Sequence, residues 1–167
     1  IVTKIKGTAF QKINGEEISL EKGKSVSVGG LIYTGNKSKV IIKFNQDVII
    51  LNQNSKLMLD KKDFVSQQEG SLFYKVSPSI SVSKVIRKTF KDRFTIRTRT
   101  TTIGIRGTNF LVETNDKDEK ILLREGKLNI SSIKDEFQIF IKKEKTEFEA
   151  YKKDIEKDFK EFVDAQE

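Results

Sequence analysis

With no histidine and no cysteine among its 167 residues, this chain has only carboxylates, hydroxyls, amines and guanidinium groups with which to do chemistry. No imidazole base, thiolate nucleophile or His/Cys zinc site can be built from that set. The stretch TTTIGIRGTNFLVE, Thr100 to Glu113, stands out, because Gly104 and Gly107 interrupt β-branched residues on either side of Arg106. A phosphate loop would need glycine, lysine and a hydroxyl at set positions before a helix. Here FLVETNDKD follows and runs on as strand and turn. G-x-x-G clamps RNA between two helices, whereas both flanks here are β-like. Paired carboxylates are the remaining catalytic option, as in glycoside hydrolysis. Glu69 and Glu125 each precede a glycine at a strand edge, Glu113 has no partner in the sequence, and tryptophan is absent. The acids of ETNDKDE, Glu113–Glu119, could surround a calcium ion, but the lysine among them and the hairpin position favour an exposed turn. These residues describe a protein that binds, with no enzymatic activity, metal or cofactor expected.

Charge is concentrated in one place. Lys84, Arg87, Lys88, Lys91, Arg93, Arg97, Arg99 and Arg106 face a single acid, Asp92, giving this segment +7 of the chain's net +8. Such a field is local rather than a general tint. Four of the six arginines, Arg87, Arg93, Arg97 and Arg99, lie close together, and arginine suits bidentate contacts with carboxylate or phosphate. One reading is a solvated strand face whose charge also guards an edge. Another is a docking face for an acidic protein or an anionic cell-envelope polymer, or for lipid headgroups. Nucleic acid is disfavoured, because base stacking wants aromatic rings among the cations and only Phe90 and Phe94 are nearby.

The elements that carry these groups read as mainly β. Short alternating runs span Ile1–Ile13, Glu17–Leu20, Leu31–Thr34, Lys39–Phe44, Asp47–Leu51, Lys56–Leu59, Gly70–Val76 and Ile80–Val85. Further runs are Arg93–Arg99, Thr101–Thr114, Lys120–Glu125, Lys127–Ser131 and Phe137–Ile141. Asn14-Gly15, Gly29-Gly30, TGNKS, NQD, NQNS and TNDKD punctuate them as turns. Short stacked antiparallel strands follow, as a β-roll or solenoid or as a sandwich. From Phe94 the apolar positions are even, yet Ile103 and Ile105 are odd, so a bulge or bend must intervene. GIRGT therefore reads as architecture. After Ile141 the pattern changes. Phe148, Tyr151, Ile155, Phe159 and Phe162 recur at three and four residues, the face of an amphipathic helix. That face either packs on the β domain or pairs with another helix. The expected organisation is a β domain over 1–141 and a helix over 142–167.

No apolar run is long enough to span a bilayer, and no signal peptide is visible. The chain opens inside a strand-like segment, as a mature or trimmed form would.

The span from Gly7 to about Ser131 resembles the FecR domain of bacterial extracytoplasmic proteins. IGIRGTNFLVE matches that family's V-x-G-T-x-F strand-turn-strand signature, and ILLREGKLNIS its V-x-V-x-E-G-x-V-x-V close. LEKGKSVSVGGLIYTGNKSKVIIKFNQDVIILNQNSKLML is similar to its opening segment, and EGSLFYKV to a later strand. The resemblance makes Gly104, Arg106, Gly107, Thr108, Phe110, Glu125 and Gly126 the motif positions, with structural roles. It departs from the family where DGS becomes NQD and where RTRTTT replaces the TP before the GT motif. It implies an extracytoplasmic, periplasmic or envelope-associated sensing module with a protein or anionic envelope partner, or else a structural scaffold of the envelope. Membrane association would come through segments outside this sequence.

Overall fold

A computed structural model describes residues 1–44, 46–78, 94–105 and 107–132. The chain divides into two units, Ile1–Lys134 and Asp135–Glu167. The expected C-terminal helix and the runs Ile80–Val85 and Phe137–Ile141 lie outside the described residues. In chain order the strands are β1 (Val2–Lys6), β2 (Ala9–Ile13), β3 (Glu16–Ser19), β4 (Leu31–Thr34), β5 (Lys39–Phe44), β6 (Asp47–Leu51) and β7 (Lys56–Lys61). They continue as β8 (Phe64–Val76), β9 (Phe94–Arg97), β10 (Thr101–Ile105), β11 (Thr108–Thr114), β12 (Glu119–Glu125) and β13 (Leu128–Ser132). Among the described residues no helix is long and apolar enough to cross a membrane.

The strands form one curled sheet with two leaves. The first runs β1-β5-β6-β8-β11-β12. The second runs β3-β2-β4-β7-β8-β9-β10-β13. Strand β8 belongs to both: its first half pairs β7 and β9, its second half β6 and β11. Only the β8–β9 pair is parallel among the described residues. Antiparallel pairing of this kind makes one curled sheet of short strands, as the sequence led one to expect.

The alternation seen in the sequence decides what goes inside. Across the first leaf, Ile42, Ile49, Tyr74 and Phe110 stand opposite one another in successive strands. Leu59, Val65, Ile96 and Ile103 do the same across the second. All eight are buried and belong to a single apolar cluster. Each such side chain stabilises the fold by about 1.5–3 kcal/mol relative to leaving it in water.

Two sequence runs prove to be broken. Ile1–Ile13 divides at Gly7 into β1 of the first leaf and β2 of the second. Thr101–Thr114 divides between Ile105 and Thr108 into β10 of the second leaf and β11 of the first. The parity change also has a sharper cause than a bulge. Arg97 pairs with Thr102 and Ile96 with Ile103, so the chain reverses at Thr98–Thr100 in a tight hairpin. Even-numbered residues of β9 therefore face odd-numbered ones of β10 on the same side.

Candidate functional site

Two places join the leaves near β12, and both involve residues singled out by the sequence. The first is a corner. Gly107 (φ 65°) lets the chain step from β10 to β11, and Gly126 (φ 97°) lets it step back from β12 to β13. A side chain at Gly126 would begin 2.5 Å from the Gly107 carbonyl oxygen and 3.0 Å from the Thr108 Cα. Only glycine permits both that backbone conformation and that approach. Thr108 donates its hydroxyl hydrogen bond to the Lys127 carbonyl at 2.8 Å, and the Asn109 side-chain amide donates to Glu125 at 3.0 Å. The register slips by one residue between Asn109 and Phe110, a bulge that turns the strand.

Beneath the corner lies a closed polar network. Phe110 stacks on Tyr74 with ring centroids 5.3 Å apart. The Tyr74 hydroxyl donates to Gln67 Oε1 at 2.9 Å, and Gln67 Nε2 donates to the carbonyls of Gly70 and Val112 at 3.0 and 2.9 Å. Burial pushes the Tyr74 pKa well above its ordinary value. Pairing of this kind is what allows a glutamine and a tyrosine hydroxyl into an apolar interior.

The second place is a clasp between hairpin tips. The hydroxyls of Thr98, Thr100 and Thr101 donate to Glu119 Oε2 at 2.8, 2.7 and 2.9 Å, and the Thr100 N–H reaches Oε1 at 3.3 Å. Burial alone would raise the Glu119 pKa. The hydroxyls of Thr100, Thr98 and Thr101 and the Thr100 N–H outweigh it and hold the carboxyl below its ordinary value. Arg99 Nη2 donates to the carbonyls of Asn115 and Asp116 at 3.3 and 2.8 Å. Asn115 Oδ1 in turn accepts the N–H groups of Lys117 and Asp118, both at 2.8 Å. The β9–β10 turn thus holds the β11–β12 turn by its own side chains.

The acids considered for catalysis have structural partners. Glu69 pairs with Lys56 at 2.6 Å, Glu113 accepts the Ser71 hydroxyl at 3.4 Å, and Glu125 holds Asn109. Among the described residues no group of three or more acids could hold a metal ion.

The model of the FecR protein family matches residues 30–129, the span that contains the corner, the network and the clasp. The chain belongs to the FecR family. Two solved structures of a putative anti-sigma factor from Parabacteroides distasonis are similar to it, with TM-scores of 0.48 and 0.47. Each is 18% identical and is matched over 62% of this FecR chain and 47% of its own length. The chain therefore spans about half the length of that protein. No curated protein matches it.

The motif positions expected from the FecR resemblance fall in two groups. Gly107, Thr108, Phe110, Glu125 and Gly126 meet at the corner, while Gly104 lies within β10, paired with Thr95 and Asn129. Arg106 is outside the described residues, as are Lys84, Arg87, Lys88, Lys91 and Arg93 of the basic segment and the stripe Phe148, Tyr151, Ile155, Phe159 and Phe162. The two described arginines of the basic segment part company. Arg97 is exposed on the outward face of the second leaf, between Ser66 and Thr102, whereas Arg99 is engaged in the clasp. Sequence reasoning missed Glu119 and the threonines that bind it. The one available signal was the RTRTTT run itself, hydroxyls where the FecR resemblance leads one to expect a proline.

Proposed function

We propose that this FecR chain is a non-catalytic module that works outside the cytoplasm, binding a protein or an anionic envelope component and sensing or holding it. Family membership supports the sensing role. The observation that carries the non-catalytic part is where the acids go: Glu119, Glu125, Glu69 and Glu113 all bond to neighbouring side chains that fix the fold. None of these acids is paired with another across a cleft. The exposed position of Arg97, apart from the structural Arg99, favours the outward face of the second leaf for an acidic partner.

The test places a photo-crosslinking residue at Thr102, directly opposite Arg97, in the native protein, and separates the cell fractions. The expected result is one discrete adduct in the envelope fraction that disappears in an Arg97→Glu variant of unchanged thermal stability. Recovery of the protein from the cytoplasm with nucleic acid attached would overturn the reading.

A further inference from the structure

The β2–β3 hairpin turns on two residues, Asn14 and Gly15, between the paired residues Ile13 and Glu16. Both have positive φ, 51° and 86°, the backbone of a two-residue hairpin turn that favours asparagine followed by glycine. Both are exposed, and nothing lies within 4 Å of an added Gly15 Cβ. The asparagine side chain and the glycine N–H meet no hydrogen-bond partner among the described residues. An unengaged side-chain amide thus stands next to an unengaged backbone nitrogen, in a residue with no side chain to bar the approach. Closing the Gly15 nitrogen onto Asn14 Cγ makes a five-membered ring.

Other asparagines are held away from this chemistry. Asn54 also has positive φ, 52°, but its N–H donates to the Gly35 carbonyl at 3.2 Å and the following Ser55 N–H donates to Thr34 Oγ1 at 3.0 Å. After Asn36, the Lys37 N–H donates to Gln53 Oε1 at 3.0 Å. Asn115 Oδ1 already accepts two N–H groups, and Asn109 Nδ2 donates to Glu125. The hairpin tip is also the part of its hairpin that opens most readily. All four residues of β3 are exposed, whereas just past its far end Leu20 is buried and donates its N–H to the Ala9 carbonyl at 2.8 Å. The Tyr33 hydroxyl donates to Glu17, which confines the opening to the turn and its first pair. Few buried contacts and solvent-exposed hydrogen bonds make local opening easy, and opening lets the Gly15 nitrogen turn onto Cγ.

We propose that Asn14-Gly15 is a site of spontaneous covalent modification, at which Asn14 loses ammonia and becomes aspartate or isoaspartate. The Gly15 N–H gives its proton to a base in the solvent, and the nitrogen attacks Asn14 Cγ. The new C–N bond forms, the bond from Cγ to the side-chain nitrogen breaks, and that nitrogen takes a proton from water and leaves as ammonia. Water then opens the cyclic imide. Attack at Cγ restores the main chain and leaves aspartate. Attack at the Asn14 backbone carbonyl leaves isoaspartate, whose main chain runs through the side-chain carbons. Either product places a new negative charge beside Glu16 and Glu17. Isoaspartate also adds one atom to the main chain, which a two-residue turn has no room for, so the Ile13–Glu16 pair is lost.

The test incubates the full chain in mildly alkaline buffer and maps its peptides by mass and chromatography. The Asn14 peptide should gain one mass unit, split into two isomers and release ammonia, at a rate that rises in proportion to hydroxide. Asn54 and Asn115 should react about tenfold more slowly, or slower still, one hydrogen bond being worth up to about that factor. The isoaspartate form, once separated, should exchange its Glu16 amide faster than the parent and leave Leu20 unchanged. Asn14→Gln, one carbon too long for the five-membered ring, should abolish the mass gain over the same period. A folded chain that stays intact at Asn14 while the urea-unfolded chain reacts there would overturn the proposal, because the turn would then protect the site. Equal rates at Asn14 and Asn54 in the folded chain, or a mass gain that survives Asn14→Gln, would overturn it as well.

Discussion

The corner and the clasp fasten the same strand to the opposite leaf by opposite means. At the corner, Gly107 and Gly126 bring backbone against backbone, with a stacked Tyr74–Phe110 pair and a saturated Gln67 network behind them. At the clasp, side chains cross between turns, and a half-buried carboxylate collects three hydroxyls. The corner brings together Gly107, Thr108, Phe110, Glu125 and Gly126, positions the FecR resemblance singles out. The clasp is built where this chain leaves that pattern. The contrast teaches that the corner turns on steric necessity at Gly107 and Gly126, while the clasp is a contact assembled from replaceable polar groups.

The strongest attack on that contrast is at Gly126. Gly126→Ala combines a positive φ with a 2.5 Å encounter and should cost about 3 kcal/mol in denaturant unfolding. Gly15, with φ 86° and nothing within 4 Å of an added Cβ, supplies the control. Gly15→Ala carries only the backbone strain, about 1 kcal/mol. Equal losses would show that close approach is not what the corner requires.

Gln67→Leu comes next. It strands the Tyr74 hydroxyl in a dry interior and should lose about 2 kcal/mol. Adding Tyr74→Phe should recover part of that loss, because the orphaned group goes with it. Thermal unfolding of the two single variants and the double variant measures the coupling.

The clasp should yield less. Glu119→Gln should cost about 1 kcal/mol at neutral pH once solvent screening of a half-exposed group is allowed for. Its pH signature is more telling. Because the folded-state pKa of Glu119 is lowered, its contribution is complete above the unfolded carboxyl value of about 4.3 and is lost as pH falls through the folded value. Stability measured across that acid range should fall less steeply in Glu119→Gln than in the parent. Parallel curves would show that the threonines do not depend on the charge. The smallest effect is expected at Lys56→Ala. That residue forms an exposed pair with Glu69, and its loss should stay within about 0.5 kcal/mol.

The two regions were also unequally visible in the sequence. Alternation exposed most strands because inward positions must be apolar and outward ones need not be. The glycines and the E-G and G-T pairs were legible as architecture because a period of two cannot tolerate them without a turn. What the local pattern could not supply was which segments meet. Glu119 and Thr98–Thr101 are close only because two hairpin tips converge, and no periodicity records that. The change of leaf at Gly107 was hidden for a related reason: Thr101–Ile105 and Thr108–Thr114 are both β-branched and apolar, so passing from one leaf to the other leaves composition unaltered. The first half of β8 escaped notice because Ser66, Gln67, Gln68 and Glu69 look like a polar loop. In the fold, Gln67 is a buried hydrogen-bonding centre and not a surface residue.

Strand β8 has a kinetic meaning. It is hydrogen-bonded to β6, β7, β9 and β11, and its partners lie as far away in the chain as Phe64 from Thr95 and Val76 from Thr108. Neither leaf can be completed until this strand is laid down, and neither can melt while it stays in place. Folding must therefore wait for distant segments to find one another, a search that runs in about milliseconds to seconds for topologies of this type. In return, the two leaves rise and fall as one cooperative body, and the central amides of both should exchange with solvent only through global unfolding.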